Sequence, residues 1–292
     1  MADRMPNAGG GGWRISRRYA WLLLPPALFL AIFFLWPLAR VVVRGFVDPA
    51  PGLSNYREIF GNQIYWRVIW NTIETSAIVT LLCLLIAYPI ALAIAAARGA
   101  KLKLLAALVI IPLWTSVVIR SYAWMVVFQR RGVLNEAIGS VRAAFGDPHM
   151  PIQFLPGTLA VNGGMIHSML PFLLLPLVAN MRGIDPRLMR AAEVMGASPT
   201  QAFLRIFLPL SLPGIMAGSA LVFMMSLGFY VTPALLGGPR HMMAAVLIEQ
   251  QANQLLNWGL ASALATLLLV VTLAIYLVHT RVAGATGGIA RA

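Results

Sequence analysis

From residue 206 to residue 239 no side chain carries a charge, and the same is true of residues 19–39 and 250–280. A stretch of that length without charge is apolar all round, not on one face. About 20 such residues cross the hydrocarbon core of a bilayer as a helix. Lipid permits little else, because every backbone N–H and C=O must find its partner within the segment. Six runs meet the requirement: 19–39, 76–97, 104–128, 158–181, 213–235 and 258–280. Arg120 interrupts the third, His167 is the lone ionisable group of the fourth, and Glu74 stands just before the second. The first run is too long for a signal peptide and ends at Pro37 and Arg40 without a small-residue cleavage site. The expected fold class is therefore all-α, a polytopic integral membrane protein of about six transmembrane helices.

Composition agrees. The chain is 60% hydrophobic and 11% charged, against about 45–50% and 25% in soluble domains. A soluble enzyme, a disordered chain and a disulfide-stapled module are excluded. The single Cys83 has no internal partner and lies in an apolar run. The formal net charge is +13, with every cation but Lys101 and Lys103 an arginine. These cations flank the apolar runs instead of forming one basic face, so they report orientation and not nucleic-acid binding. With the N-terminus in the cytoplasm, 13 of the 22 fall on the inner side. Both termini are therefore expected inside, despite Arg130, Arg131 and Arg142 in an outer loop.

Two outer segments have helical character. Residues 53–61 read as a short helix capped by Ser54 or Asn55. In residues 132–146, Val133, Leu134, Ala137, Ile138, Val141, Ala144 and Phe145 recur at helical spacing. That pattern suits a helix lying on the membrane interface or a docking surface for a soluble partner.

The segment between the fourth and fifth runs is the most explicitly punctuated. Asp185 and Pro186 suit the start of a helix, and Gly196 suits the left-handed residue that ends it. Ser198 and Pro199 repeat the start signal for a second short helix. Leu188, Ala191, Ala192 and Met195 share one apolar face, small at its centre, with Arg187, Arg190 and Glu193 pointing elsewhere. Taken alone this fits an amphipathic connection on the membrane. Together with LPLSLPGI leading into the next run, it resembles the cytoplasmic signature of the inner-membrane subunits of binding-protein-dependent ABC importers. That signature is Glu-Ala-Ala, three variable residues and Gly, then a proline-containing turn. Ala191, Ala192 and Gly196 match it, with Pro209, Pro213 and Gly214 as the turn. Arg190 stands where the family usually has glutamate, and the nearest acid is Glu193.

NYREIF at Tyr56 and WNTIETS at residues 70–76 are similar to the start of that family's permease core. IPLWTSVVIRSYAWMVVFQRRGVLN (111–135) and GFYVTPALLGGP (228–239) are similar to its spermidine/putrescine branch. Relatives of that branch take up iron, thiamine, phosphonate and opine-like amines, so another solute on the same architecture is the alternative. An ATP-independent secondary transporter is a further alternative, although Glu74 is the only acid near the hydrocarbon. The resemblance implies the type I importer permease fold in a bacterial inner membrane. It implies a cytoplasmic tail (1–18), a first transmembrane helix (19–43), a periplasmic loop (44–69), a five-helix core (70–281) and a cytoplasmic tail (282–292). The core holds the ATPase-coupling loop (182–212), whose coupling residues are Asp185, Leu188, Arg190, Ala191, Ala192, Glu193, Met195, Gly196 and Ala197. Implied partners are a cytoplasmic ABC ATPase dimer, a second permease subunit, an external solute-binding protein and membrane lipid.

The chain carries no phosphate-cradling GxxxxGK[ST] loop, so ATP is expected to bind and be hydrolysed in a separate subunit. No carboxylate pair falls within one run, and His149, His167, His241 and His279 lie in different segments. No catalytic residue, metal or cofactor is expected in this chain. Candidates for the translocation path are Arg120 with Trp114, Tyr122 and Trp124 around it, then Glu74, then Phe229, Tyr230 and Thr232 ahead of Pro233. An arginine inside a span usually faces a bundle interior or a water-filled cavity. Arg120 is either such a gate residue or a structural one that snorkels toward the outer surface. Glu74 can counter Arg120, meet a cationic solute or simply sit at the interface. The aromatics can stack on an amine or form an interfacial belt. His167 reads as a hydrogen-bonded core histidine, and Gly218 and Gly228 as sites of close helix packing.

Overall fold

The structure, a computed structural model, describes residues 21–146 and 151–289, with side chains to residue 281. The N-terminal tail (1–18), residues 19–20, His149 and Arg291 lie outside these. Among the described residues all regular structure is helical. Five helices are long and apolar enough to cross a membrane, and a bent pair makes a sixth.

The first, α1 (Trp21–Val47), has none of its most apolar window buried. Residues such as Phe29, Phe33 and Trp36 face outward, as lipid-facing side chains must. A π turn over Ala31–Leu35 precedes Pro37. Proline lacks an N–H and its ring strikes the carbonyl four residues back, so a wider turn lets the helix continue. A close approach to the rest falls at Gly45, where a Cβ would meet the Ala263 backbone at 3.1 Å. Arg44 pairs with Asp48 at 3.0 Å and lies 4.9 Å from the Trp258 ring centroid.

The short helix α2 (Ser54–Gly61) forms as expected, but neither Ser54 nor Asn55 caps it. Asn55 is buried, and its Nδ2 donates to the carbonyls of Gly45 and Asp48 at 3.0 and 2.7 Å. It ties α2 to the end of α1, and that competing use removes it from the cap. In α3 (Gln63–Ala96) helix begins well before the apolar run at 76, because Asn62 caps it through Ile64 N–H at 2.9 Å. At 1.5 Å per residue the helix is about 50 Å long. Its first turns, carrying Asn71, Thr72 and Glu74, therefore belong to the same rod as the span.

The third expected span, 104–128, is broken. Helices α4 (Gly99–Trp114) and α5 (Val117–Phe128) meet at 96°, and α6 (Val133–Ala144) continues beyond α5. The chain turns at Thr115 and Ser116, where hydroxyls replace the ladder. Thr115 Oγ1 donates to Pro112 O at 2.8 Å, and Ser116 Oγ accepts from Val118 N–H at 3.3 Å. The apolar stripe foreseen on α6 is split. Leu134 and Ile138 turn inward beside buried Asn135 and Gly139, while Val133, Val141 and Phe145 stay exposed.

The centre of the molecule is α7 (Thr158–Gly183), packed against α3 and against α9 (Pro199–Leu227). Val79, Cys83, Ala87 and Ala91, each one turn apart on α3, face Met165, Met169, Leu173 and Leu177 of α7. Helix α9 approaches through small residues. A Cβ on Gly218 would lie 2.9 Å from Leu173 O, and one on Gly214 2.7 Å from Asn180 Cβ. Gly228 has nothing within 4 Å of such a Cβ, so it ends the helix instead of packing it. The fifth expected span, 213–235, is therefore displaced: α9 stops at Leu227 and a separate short α10 (Val231–Leu236) follows. Beyond it come α11 (Ala244–Glu249) and α12 (Trp258–Ile289).

Where α3 begins, a second cluster joins α2, α11 and α12 through Ile59, Val68, Leu247 and Leu260. Thr72 Oγ1 donates to Val68 O at 2.7 Å and accepts from Ala244 N–H at 2.8 Å. Helix α8 (Pro186–Val194) lies at the other end, where α7 stops.

Replacing Gly218 by valine is expected to destabilise the protein by about 1–3 kcal/mol through overpacking against Leu173. Gly228→Ala is expected to be near neutral. Thermal unfolding of both variants in the same detergent checks the contrast.

Candidate coupling loop and translocation path

The loop after α7 is closed at both ends by its own groups. Asp185 caps α8, its carboxylate accepting Arg187 N–H at 2.8 Å, with Pro186 in the first turn. At the far end Gly196 takes φ +92°. Ala197 N–H then reaches Ala192 O at 3.0 Å, and Gly196 N–H reaches Glu193 O at 3.0 Å. This pair of bonds is the Schellman closure, and it needs a residue free to adopt positive φ. Ser198 opens α9 with a reciprocal capping box. Its Oγ accepts Gln201 N–H at 3.3 Å while Gln201 Oε1 accepts Ser198 N–H at 3.0 Å.

Helix α9 then runs without a break into the membrane. The second short helix and the proline turn expected before the fifth span are one rod. A π turn at Phe203–Phe207 takes up the wider geometry needed ahead of Pro209, as in α1.

On α8 the expected apolar face divides. Ala192 is 9% exposed and packs inward, whereas Leu188, Ala191 and Met195 point out, Met195 at 87% exposure. Val194, outside the i, i+3, i+4, i+7 pattern, joins them at 89%. Arg190 and Glu193 are exposed, with no ion pair among the described residues. The loop thus presents a short, rigid helix with an uncovered apolar surface and charges around it.

The path candidates do not converge on one surface. Trp114 lies across the bend from Arg120 and is 88% exposed. Arg120 and Trp124, four apart on α5, share the face toward α7, while Tyr122 turns outward. Trp124 Nε1 donates to His167 Nδ1 at 3.1 Å and its ring stacks on Phe128, centroids 5.1 Å apart. His167 is thus a hydrogen-bonded interior histidine. Arg120 Nε and Nη1 are buried with no acceptor among the described residues.

Thr232 is fully buried. It bonds Ser121 Oγ at 2.8 Å, and Ser121 in turn donates to Val117 O at 2.9 Å. Its methyl group occupies the space left by Gly164. Thr232 therefore fastens α10 to α5 and α7 and has no surface to offer a solute. Phe229 packs against the main core, and only Tyr230 of that trio is exposed.

Glu74 is exposed on α3 and lines a small cavity with Asn71, Asn162, Arg240 and His241. The last four were not foreseen as site residues. Asn71 and Asn162, amides in otherwise apolar helices, were the available signal. No group of three or more His, Cys, Asp or Glu placed to hold a metal occurs among the described residues.

The model of the binding-protein-dependent transport system inner membrane component matches residues 14–285. The chain belongs to that family. It is 34% identical over 267 residues to the spermidine/putrescine transport system permease protein PotB of Haemophilus influenzae, covering 90% of each chain. Against PotB of Escherichia coli K12 the identity is 31% over 236 residues, covering 81% of this chain and 84% of that one. A chain of a bacterial ABC transporter involved in alginate import has the same fold, with TM-score 0.73 at 22% identity over 90% and 93% of the two chains. The protein is thus a multi-pass inner-membrane permease, a transport subunit and not an enzyme.

Thr232→Val is expected to lower the stability of this permease by about 0.5–1.5 kcal/mol, the value of one hydrogen bond. Transport by the folded fraction should be unchanged. Thermal unfolding and uptake measured on one preparation separate the two effects.

Proposed function

We propose that this permease is half of the translocation path of an ATP-driven importer for a polyamine of the spermidine/putrescine class. What carries the reading is its likeness, along nine-tenths of both chains, to the Haemophilus influenzae spermidine/putrescine permease. A second permease subunit completes the path, a soluble binding protein delivers the solute, and two cytoplasmic ATPase subunits hold and hydrolyse ATP. No cofactor is assigned to this chain. A related alginate transporter has been solved with a solute-bound periplasmic protein, which supports a binding-protein partner here.

The geometry supports a division of labour. The exposed apolar surface of α8, around Leu188, Ala191, Val194 and Met195, enters a groove on the ATPase. An amphipathic helix laid in a groove is a recurrent docking mode. Arg190 replaces the family's usual glutamate at an exposed position, so the apolar contact and not an ion pair made by that side chain holds the helix. Closure of the ATPases moves α8, and the capping box at Ser198 passes the motion into α9. Because α9 is one rod clamped to α7 at Gly214 and Gly218, the motion reaches the core.

The test is uptake by the complex in proteoliposomes, with binding protein loaded with labelled putrescine or spermidine and ATP inside. Accumulation dependent on both ATP and binding protein is the expected result. ATPase stimulation without polyamine accumulation would retain the architecture and overturn the solute. Met195→Glu places a charge in the docking surface and is expected to cut stimulated ATPase and uptake at least tenfold, with normal membrane insertion. Arg190→Ala should leave both within about twofold, the scale of an exposed ion pair.

A further inference from the structure

The small cavity beside Glu74 lies between α3, α7 and the turn at Arg240 and His241, at the end of the bundle opposite the coupling loop. Its volume is about 90 Å³. One water needs only ~10–15 Å³ of such space, whereas pockets for a whole drug-sized ligand start near 300 Å³. The cavity thus has room for the head of a molecule, not for all of it.

Its walls hold acceptors that no donor meets. Asn162, 8% exposed, points a buried Oδ1 that no donor meets. His241 Nδ1 is also buried and unpartnered. Glu74 makes no ion pair or hydrogen bond among the described residues. Buried polar atoms are ordinarily satisfied, so an unmet acceptor beside a free carboxylate indicates what is missing. The missing group has several N–H donors, a positive charge and a small head. A primary ammonium has all three.

Asn71 Nδ2 donates to Arg240 O at 3.1 Å and holds the turn against α3. Arg240 therefore stays near Glu74, and an incoming ammonium competes with its guanidinium for the carboxylate.

We infer that this cavity is an ammonium subsite at the outer mouth of the path, taking one terminal amine of the solute as the binding protein releases it. The inference rests on the amine-import reading above and adds the place of first capture. Glu74 accepts the charge, Asn162 and His241 accept N–H bonds, and Arg240 competes with the head for the carboxylate.

The complete complex, with both permeases, the ATPases and the binding protein, gives the test. In proteoliposomes Glu74→Gln is expected to lower putrescine imported per ATP hydrolysed about tenfold, the scale of a lost charge-assisted bond. Stimulation of the ATPase by the loaded binding protein should persist, because Glu74→Gln changes a charge and not the shape of the surface. Arg240→Ala is expected to raise imported putrescine per ATP, or at least not lower it. An unchanged ratio in Glu74→Gln overturns the subsite, as does an equal loss in both variants, which would mark a structural Glu74–Arg240 pair. Propylammonium chloride, measured against sodium chloride at equal ionic strength, should raise the thermal midpoint of the wild-type complex but not that of Glu74→Gln. Equal midpoints overturn the subsite whatever solute is carried. Failure of wild-type polyamine uptake with a retained propylammonium shift overturns the polyamine reading alone.

Discussion

A bilayer offers no water to a backbone group that loses its partner, and the architecture follows from that prohibition. Three interruptions in these helices carry their own repair. Pro37 and Pro209 each follow a π turn. The bend between α4 and α5 is stitched by the hydroxyls of Thr115 and Ser116. With the backbone satisfied, the helices associate by fit, and fit demands small residues where axes approach. Gly214 and Gly218 provide this on α9, and Ala87 and Ala91 on α3, which is why α7 can be buried from two sides.

The same prohibition weakens toward the ends of the bundle, where function concentrates. At one end α8 is closed by Asp185 and by the Gly196 turn, so its backbone needs nothing from a partner. Its side chains can then be devoted to contact, and the uncovered apolar surface is what a docking helix requires. At the other end the Asn55, Asn71 and Thr72 side chains bond backbone groups of other segments and hold the loops there as a rigid rim.

Legibility in the sequence followed the range of each signal. Apolar runs reported spans, because a span is a local property of some twenty residues. Asp185, Pro186, Gly196 and Ser198 reported the short helix and the turns between α7 and α9, because caps act within four residues. Continuity escaped: LPLSLPGI reads as a turn, since nothing local tells that a π turn upstream will absorb Pro209. The start of α3 escaped because hydropathy marks the membrane and not the helix, and Asn62 caps it well outside the apolar run. The path residues were the least legible. Thr232 has the polar group and the position of a pore residue, yet Ser121 and Gly164, more than sixty residues away, enclose it. The cavity at Glu74 joins segments from three parts of the chain, and no spacing rule connects Asn71, Asn162 and His241.

The π turn at Phe203–Phe207 also sets an angle. Each residue turns an α-helix by about 100°, and a π turn inserts one without adding a matching rotation of the rod. The loop-side end of α9 is therefore phased differently against α8 than a regular helix of the same sequence would be. Gly214 and Gly218 define which azimuth of α9 faces α7, so the wide turn decides which way α8 looks when that face is engaged. Pro209, by calling for the wide turn, acts as a keyway between the loop end of α9 and the shaft that the membrane holds.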